Sequence, residues 1–255
     1  MRVAILGAGG FIGSHLVRHL TERGHRVTGI DVTDEKLDAA RGPAFVFHHG
    51  DIGRDQELLH RVVRDADVVV DLVAYANPSV YVESPLEVFE LNFLLNLNVA
   101  ELCIEHGKRL IQFSSAEVYG KANGGEAFSE DTSDLVLGPV SKQRWMYATC
   151  KLLLERVLHA HGLKGRLDYT IVRPFNFIGS RLDYLVPAGT MGGPRVFAHF
   201  MSALLTGGPL YLVDGGTVHR AFLHINDANA ALEAILTHPD EARHPGAAGT
   251  PQRLE

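Results

Sequence analysis

Short apolar runs rich in β-branched residues recur along the chain at residues 3–6, 27–30, 44–47, 68–72, 110–113 and 169–172. Each has the length of a strand, and five helix-length segments of mixed polar and apolar character separate them. This alternation predicts a parallel sheet, because a crossover between parallel neighbours needs a dozen or more residues and usually forms a helix. The run Asp67-Val68-Val69-Val70-Asp71-Leu72 is apolar on both alternating faces, as suits a strand covered by helices on each side. The expected architecture is α/β, a parallel sheet doubly wound by helices.

Beyond Arg173 the periodicity weakens. Gly- and Pro-rich stretches around 179–194 lead into an expected helix near 195–205, short strands near 210–213 and 221–223, and a helix from Asp227. A coil-forming stretch, residues 246–251, follows. The chain is therefore divided into a sheet domain over 1–173 and a small C-terminal substrate-binding lobe over 174–255. Helices expected over 85–106 and 144–161 carry apolar positions beyond what one sheet covers, leaving a face for a partner helix in the same chain or in a second copy.

Composition narrows the function. A net charge of −6 over 255 residues supplies no basic field for a nucleic-acid backbone, so no polynucleotide partner is expected. The two cysteines, Cys103 and Cys150, lack the spacing of a disulfide framework or zinc site. The 14 histidines show no ligand spacing beside carboxylates, and no metal is expected. Met1 and Arg2 run straight into an apolar strand, and no apolar run approaches membrane-spanning length, so a cytoplasmic protein without membrane contact is expected.

The first chemical motif is Gly7-Ala8-Gly9-Gly10-Phe11-Ile12-Gly13, between the first strand and a helix over 12–23 that Gly24 can end. Glycines at this position permit a tight turn and let backbone N–H groups approach a pyrophosphate at the positive end of the helix. Asp31 falls at the end of the second strand, where an acid binds both hydroxyls of an adenosine ribose and repels a 2′-phosphate. NAD is thus favoured over NADP, and Asp51-Ile52 after the third strand are candidates for the adenine.

The second motif is Tyr147-Ala148-Thr149-Cys150-Lys151, which sets a phenol and an amine at i and i+4 on one helix face. A neighbouring ammonium favours the phenolate, and Tyr147 can then take the proton of a sugar hydroxyl. Phe113-Ser114-Ser115-Ala116-Glu117-Val118-Tyr119-Gly120 follows the fifth strand, at the carboxyl edge where such sheets hold ligands, and Ser115 is placed to bond the same hydroxyl.

Over residues 1 to about 238 the chain resembles the extended short-chain dehydrogenases/reductases that modify nucleotide sugars, through the glycine loop, Asp31, Asp51-Ile52, Ser115, Tyr147, Lys151 and Arg173-Pro174-Phe175-Asn176. Within that family it is most similar to the UDP-glucuronate decarboxylases, such as the decarboxylase domain of the bifunctional aminoarabinose-pathway enzyme, along Leu137-Gly138-Pro139-Val140 through Tyr147, Arg173 through Gly179, and Arg181-Leu182-Asp183. The resemblance implies a Rossmann-type fold and a homodimer built on the two helices with surplus apolar faces. It also implies a cofactor site of Gly7, Gly10, Phe11, Ile12, Gly13, Asp31, Asp51, Ile52, Leu72, Ala74, Tyr147 and Lys151. Catalysis then falls to Ser115, Glu117, Tyr147 and Lys151, with Glu117 handling a proton, and Tyr81, Arg144, Asn176, Arg195 and Arg220 lie near the sugar or its diphosphate. The implied reaction is NAD-dependent oxidation of a UDP-hexuronic acid at C4 with decarboxylation.

Two departures keep other readings open. Ala116 stands where the decarboxylases carry a serine, and the stretch after Arg173 is shorter than theirs, whose tail supplies an arginine used in decarboxylation. A nucleotide-sugar 4-epimerase or 4,6-dehydratase shares the first step. A non-catalytic NAD-binding sensor or scaffold is the alternative from another class.

Overall fold

The structure is a computed structural model and describes residues 1–121, 127–183, 185–187 and 195–238. The coil expected at 246–251 lies outside the described residues. In chain order the elements are β1 (Arg2–Leu6), α1 (Phe11–Glu22), β2 (Arg26–Asp31), β3 (Phe45–His49), α2 (Gln56–Asp65), β4 (Val68–Asp71), α3 (Pro78–Glu83), α4 (Pro85–Phe89), α5 (Asn96–Glu105), β5 (Arg109–Phe113), α6 (Met146–Leu163) and β6 (Tyr169–Val172). They are followed by β7 (Asn176–Ile178), α7 (Val196–Thr206), β8 (Phe222–His224) and α8 (Ile225–Thr237).

Strands β1 to β6 form one parallel sheet in the order β3-β2-β1-β4-β5-β6, so all six strand expectations are met. The order reverses between β1 and β4, which opens a crevice at their carboxyl ends. Because side chains alternate along a strand, the sheet feeds two cores. Ala4, Leu6, Val69 and Leu110 meet Leu59 and Val63 of α2, Val99 and Cys103 of α5, and Leu154 and Leu158 of α6. On the other face Val3, Ile5, Val70 and Ile111 meet Leu16 and Leu20 of α1 together with Leu232 and Leu236 of α8.

Three expectations change. The connection over 32–44 carries no α-helix, only a 3₁₀ turn at Asp38–Ala40. Leu37 and Ala40 are its only buried residues, too little apolar stripe to hold a helix on the sheet, and Gly42-Pro43 end it. The helix expected over 85–106 is interrupted by a π-helical stretch, Glu90–Leu95, between α4 and α5. No strand forms at 210–213. Leu210, Tyr211 and Leu212 are exposed between Gly207-Gly208-Pro209 and a 3₁₀ turn at Val213–Gly216, with no neighbouring strand to pair with among the described residues.

Beyond the sheet, β7 pairs in parallel with β8, with Asn176 opposite Phe222. Helix α8 returns to the sheet and is tied to α1 by Glu233, which bonds His19 at 2.9 Å and Arg23 at 2.7 Å. Among the described residues no helix is long and apolar enough to cross a membrane.

The central strands carry the fold's stability. Replacing fully buried Ile111 with Ala is expected to cost about 3 kcal/mol in urea-induced unfolding, whereas Val140→Ala, at a position 97% exposed, should change it by less than about 0.5 kcal/mol.

Candidate active site

The glycine loop leaves β1 and enters α1 with almost no spare volume. A Cβ on Gly13 would meet the carbonyl oxygen of Gly7 and the backbone of Ala8, and a Cβ on Gly9 would run into the carbonyl oxygen of Thr33. Gly10 caps α1 without a side-chain hydrogen bond, so the first-turn N–H groups of Phe11 and Ile12 are left for a ligand. Asp31, at the end of β2, accepts from the N–H of Gly9 at 2.9 Å and of Thr33 at 3.1 Å, which aims its carboxylate at the mouth of the loop. Leu72 extends the ladder by donating to Leu6 at 3.0 Å, and Ala74 packs beside Tyr81, Val88 and Tyr147. This shape and chemistry fit the adenosine, ribose and pyrophosphate of NAD. Asp51 is more committed than expected: its carboxylate accepts from the Gly53 N–H at 2.8 Å and pairs with Arg54 at 3.5 Å, while Ile52 is buried in the core.

Helix α6 buries one stripe, Tyr147, Lys151, Leu154, Glu155, Leu158 and Gly162, so the packing that seats the helix also sets the phenol and the amine. The Tyr147 ring stacks on Tyr81 with centroids 4.6 Å apart and planes 6° from parallel. Tyr81 is thus 2% exposed, and its ring holds the orientation of its neighbour. Ser115 follows β5, begins the 3₁₀ turn Ala116–Tyr119 by accepting from the Glu117 N–H at 3.1 Å, and is hydrogen-bonded to the Tyr147 phenol. Glu117 faces Arg144 across 3.6 Å, and Arg195 binds Asp183 at 3.1 Å. Burial dominates the electrostatics. It pushes the Tyr147 phenol up to about 12 against the lowering effects of Ser115 and Arg195, and it raises the Glu117 carboxyl despite Arg144. The Lys151 amine donates to the carbonyl of Phe113 at 2.9 Å.

A glycine cradle, an acid closing β2, and a serine, tyrosine and lysine gathered at the carboxyl edge form one assembly, and residues 3–248 match the NAD dependent epimerase/dehydratase family. The chain belongs to that family. It is accordingly an NAD-dependent enzyme. Its fold is similar to that of the PbgP3 protein from Burkholderia pseudomallei, with 37% identity and a TM-score of 0.84 over 96% of this chain and 75% of that one. UDP-glucose 4-epimerase from Thermus thermophilus, solved with NAD, shares 30% identity with a TM-score of 0.75 over 92% of this chain and 74% of its own. UDP-glucuronic acid 4-epimerase from Bacillus cereus, solved as a mutant with a fluorinated UDP-glucuronic acid and NAD, shares 26% with a TM-score of 0.74 over 93% and 73%.

In this member of the epimerase/dehydratase family the structure also assembles residues that the sequence alone did not bring out. Asp71, the last residue of β4, is fully buried, its Oδ1 accepts from the Val73 N–H at 3.0 Å, and the Gln112 side chain of β5 hydrogen-bonds its carboxyl. Lys151 and Asp71 are both buried and each favours the charged form of the other: burial lowers the amine and raises the carboxyl, and their mutual attraction opposes both shifts. Asp71 is therefore the counter-charge of Lys151. Its signal was a carboxylate inside a run read as covered on both faces. Asn92, within the π-helical stretch, exchanges hydrogen bonds with the Tyr75 backbone at 2.9 and 3.1 Å, and Asn96 donates to Val73 at 3.1 Å, so the helix fixes the segment after β4 that lines the crevice.

Asn176 and Arg220, expected near the sugar or its diphosphate, lie beyond the sheet. Asn176 donates to the Ala221 carbonyl at 2.9 Å and ties β7 to β8, and exposed Arg220 turns back to the carbonyl of His219 at 2.9 Å. Neither is drawn into the cluster around Tyr147.

Asp71→Asn keeps the shape and removes the charge. Loss of the Lys151 ammonium should set the alkaline limb of the pH–activity profile, and without Asp71 that limb should move to lower pH by about one unit. An alkaline limb that stays in place would show that Asp71 does not govern Lys151.

Proposed function

We propose that the chain oxidises a UDP-hexuronic acid such as UDP-glucuronate at C4 and releases its C6 carboxylate as CO₂. The observation that carries this reading is the pair of arginines, Arg144 and Arg195, whose charges act on Tyr81 at the rim of the Tyr147–Ser115–Glu117 cluster. Cations at that edge suit a substrate bearing a diphosphate and a carboxylate. The similarity to proteins solved with UDP-glucuronic acid and NAD supports the same substrate class.

NAD, when bound, supplies the hydride acceptor. Tyr147 takes the proton from the C4 hydroxyl, and Ser115, bonded to the phenol, holds the same oxygen. Burial pushes the Tyr147 phenol up to about 12 and the Lys151 amine down to about 8, so turnover should rise with pH from neutral and fall again as the Lys151 ammonium is lost. A C4 ketone lies β to the C6 carboxylate, and as the C5–C6 bond breaks its electron pair passes into the C4 enolate while CO₂ leaves. Glu117, its carboxyl raised by burial, then delivers a proton to C5.

A second reading, 4-epimerisation, is favoured by Ala116, which brings no hydroxyl to the turn after Ser115, and by the similarity to two UDP-sugar 4-epimerases. The test incubates the protein with NAD⁺ and UDP-glucuronate and follows CO₂ and nicotinamide absorbance together. CO₂ release that falls about a thousandfold in Tyr147→Phe is the expected outcome. A C4 epimer without CO₂ would establish the epimerase, and no turnover of UDP-glucuronate or of neutral UDP-hexoses would return the non-catalytic alternative.

We further propose a homodimer. Leu86 of α4, Leu94 of the π-helical stretch and Leu153 of α6 are exposed on elements that pack together, an apolar flank suited to a second copy. Light scattering should give twice the chain mass, and Leu94→Arg should give the monomer; a wild-type monomer would refute it.

A further inference from the structure

The end of the sheet opposite the catalytic cluster holds a group of side chains that the chemistry above does not use. We propose that His60, Glu105 and His106 bind a divalent transition-metal ion of the zinc class. His60 lies on α2, and Glu105 and His106 close α5. These two helices pack side by side on one face of the sheet, with Leu59 and Val63 of α2 sharing a core with Val99, Leu102 and Cys103 of α5. The backbone beneath the three side chains is therefore rigid. One donor atom from each lies within 4.8 Å of the others, and the two imidazole rings stand edge to face with centroids 6.0 Å apart. Zinc–nitrogen bonds of about 2.1 Å set neighbouring donors about 3.4 Å apart, which small side-chain rotations can reach from here.

Three further features favour a cation. His106 Nε2 is buried and has no hydrogen-bond partner among the described residues, an unmet polar atom that a coordinate bond would satisfy. His106 also ends α5: its N–H bonds Leu102 at 3.0 Å, and the Gly107 and Lys108 N–H groups close the turn on Ile104 at 3.3 Å and Cys103 at 2.8 Å. The negative end of the helix dipole thus points at the group. Arg64, one turn along α2 from His60, is paired with Asp65 at 3.0 Å. Two imidazoles and one carboxylate are a donor set for zinc and its neighbours, whereas calcium and magnesium select oxygen. Three protein ligands at a partly exposed site leave a position for water, and the ion would clamp α2 to α5 far from Tyr147.

The test uses tag-free protein, because an added polyhistidine would mask the signal. Calorimetry with ZnCl₂ should show one site with a Kd near or below about 10 μM, and a tenfold excess over Kd should raise the melting temperature by about 3 °C. MgCl₂ should do neither. His60→Gln and His106→Gln, each confirmed as folded by circular dichroism, should weaken zinc binding at least tenfold. Absence of zinc binding by the wild type at 100-fold that concentration, or equal binding by both variants, would overturn the proposal. The catalytic reading stands or falls separately, since neither measurement uses NAD or a sugar.

Discussion

Six strands that all run the same way impose the constraint on which everything else rests. Each connection must return across a face of the sheet, and every carboxyl end arrives at one edge. The reversal between β1 and β4 then opens that edge, with the glycine loop, Asp31 and the segment after β4 on one side and Ser115 after β5 close by. Both faces must be covered for such a sheet to persist, so the stripe of α6 that seals one face also delivers Tyr147 and Lys151 to the crevice. The site comes from the same packing as the core.

Burial also sets the chemistry. Tyr147, Lys151, Asp71 and Tyr81 are all withdrawn from water, and each is pushed toward its neutral form by that withdrawal. The charges that remain useful are those with partners: Lys151 against Asp71, Glu117 against Arg144, Arg195 against Asp183. A low-dielectric site of this kind amplifies any charge that enters, which is why the arrival of an anionic sugar nucleotide and a cationic nicotinamide matters more here than it would in water.

The fold and family alone do not choose among the reactions that begin by oxidising C4. On the function proposed above, that choice falls to the contacts around Glu117 and Ala116 and to the residues that meet the sugar. Arg144 and Arg195 stand at the rim, whereas Asn176 and Arg220 are occupied within their own lobe. The pairing of β7 with β8 joins the segments that follow the sheet to one another, and the return of α8 onto α1 ties them to the sheet.

Local pattern carried much of this information. Six strands, the glycine loop, Asp31 and the Tyr147/Lys151 pair were legible because strand length, glycine spacing and the i, i+4 face are properties of neighbours in the chain. The loop at 32–44, the π-helical break at Glu90–Leu95 and the unpaired stretch at 210–212 were not, since each depends on what the rest of the chain offers to pack against. Only the tertiary structure set Asp71 facing Lys151, laid Tyr81 on Tyr147 and brought His60 to His106, because these meetings join residues from different elements. Sequence determined which elements form and what chemistry they carry. Packing across the sheet decided which groups share a buried space, and therefore which of them hold charge.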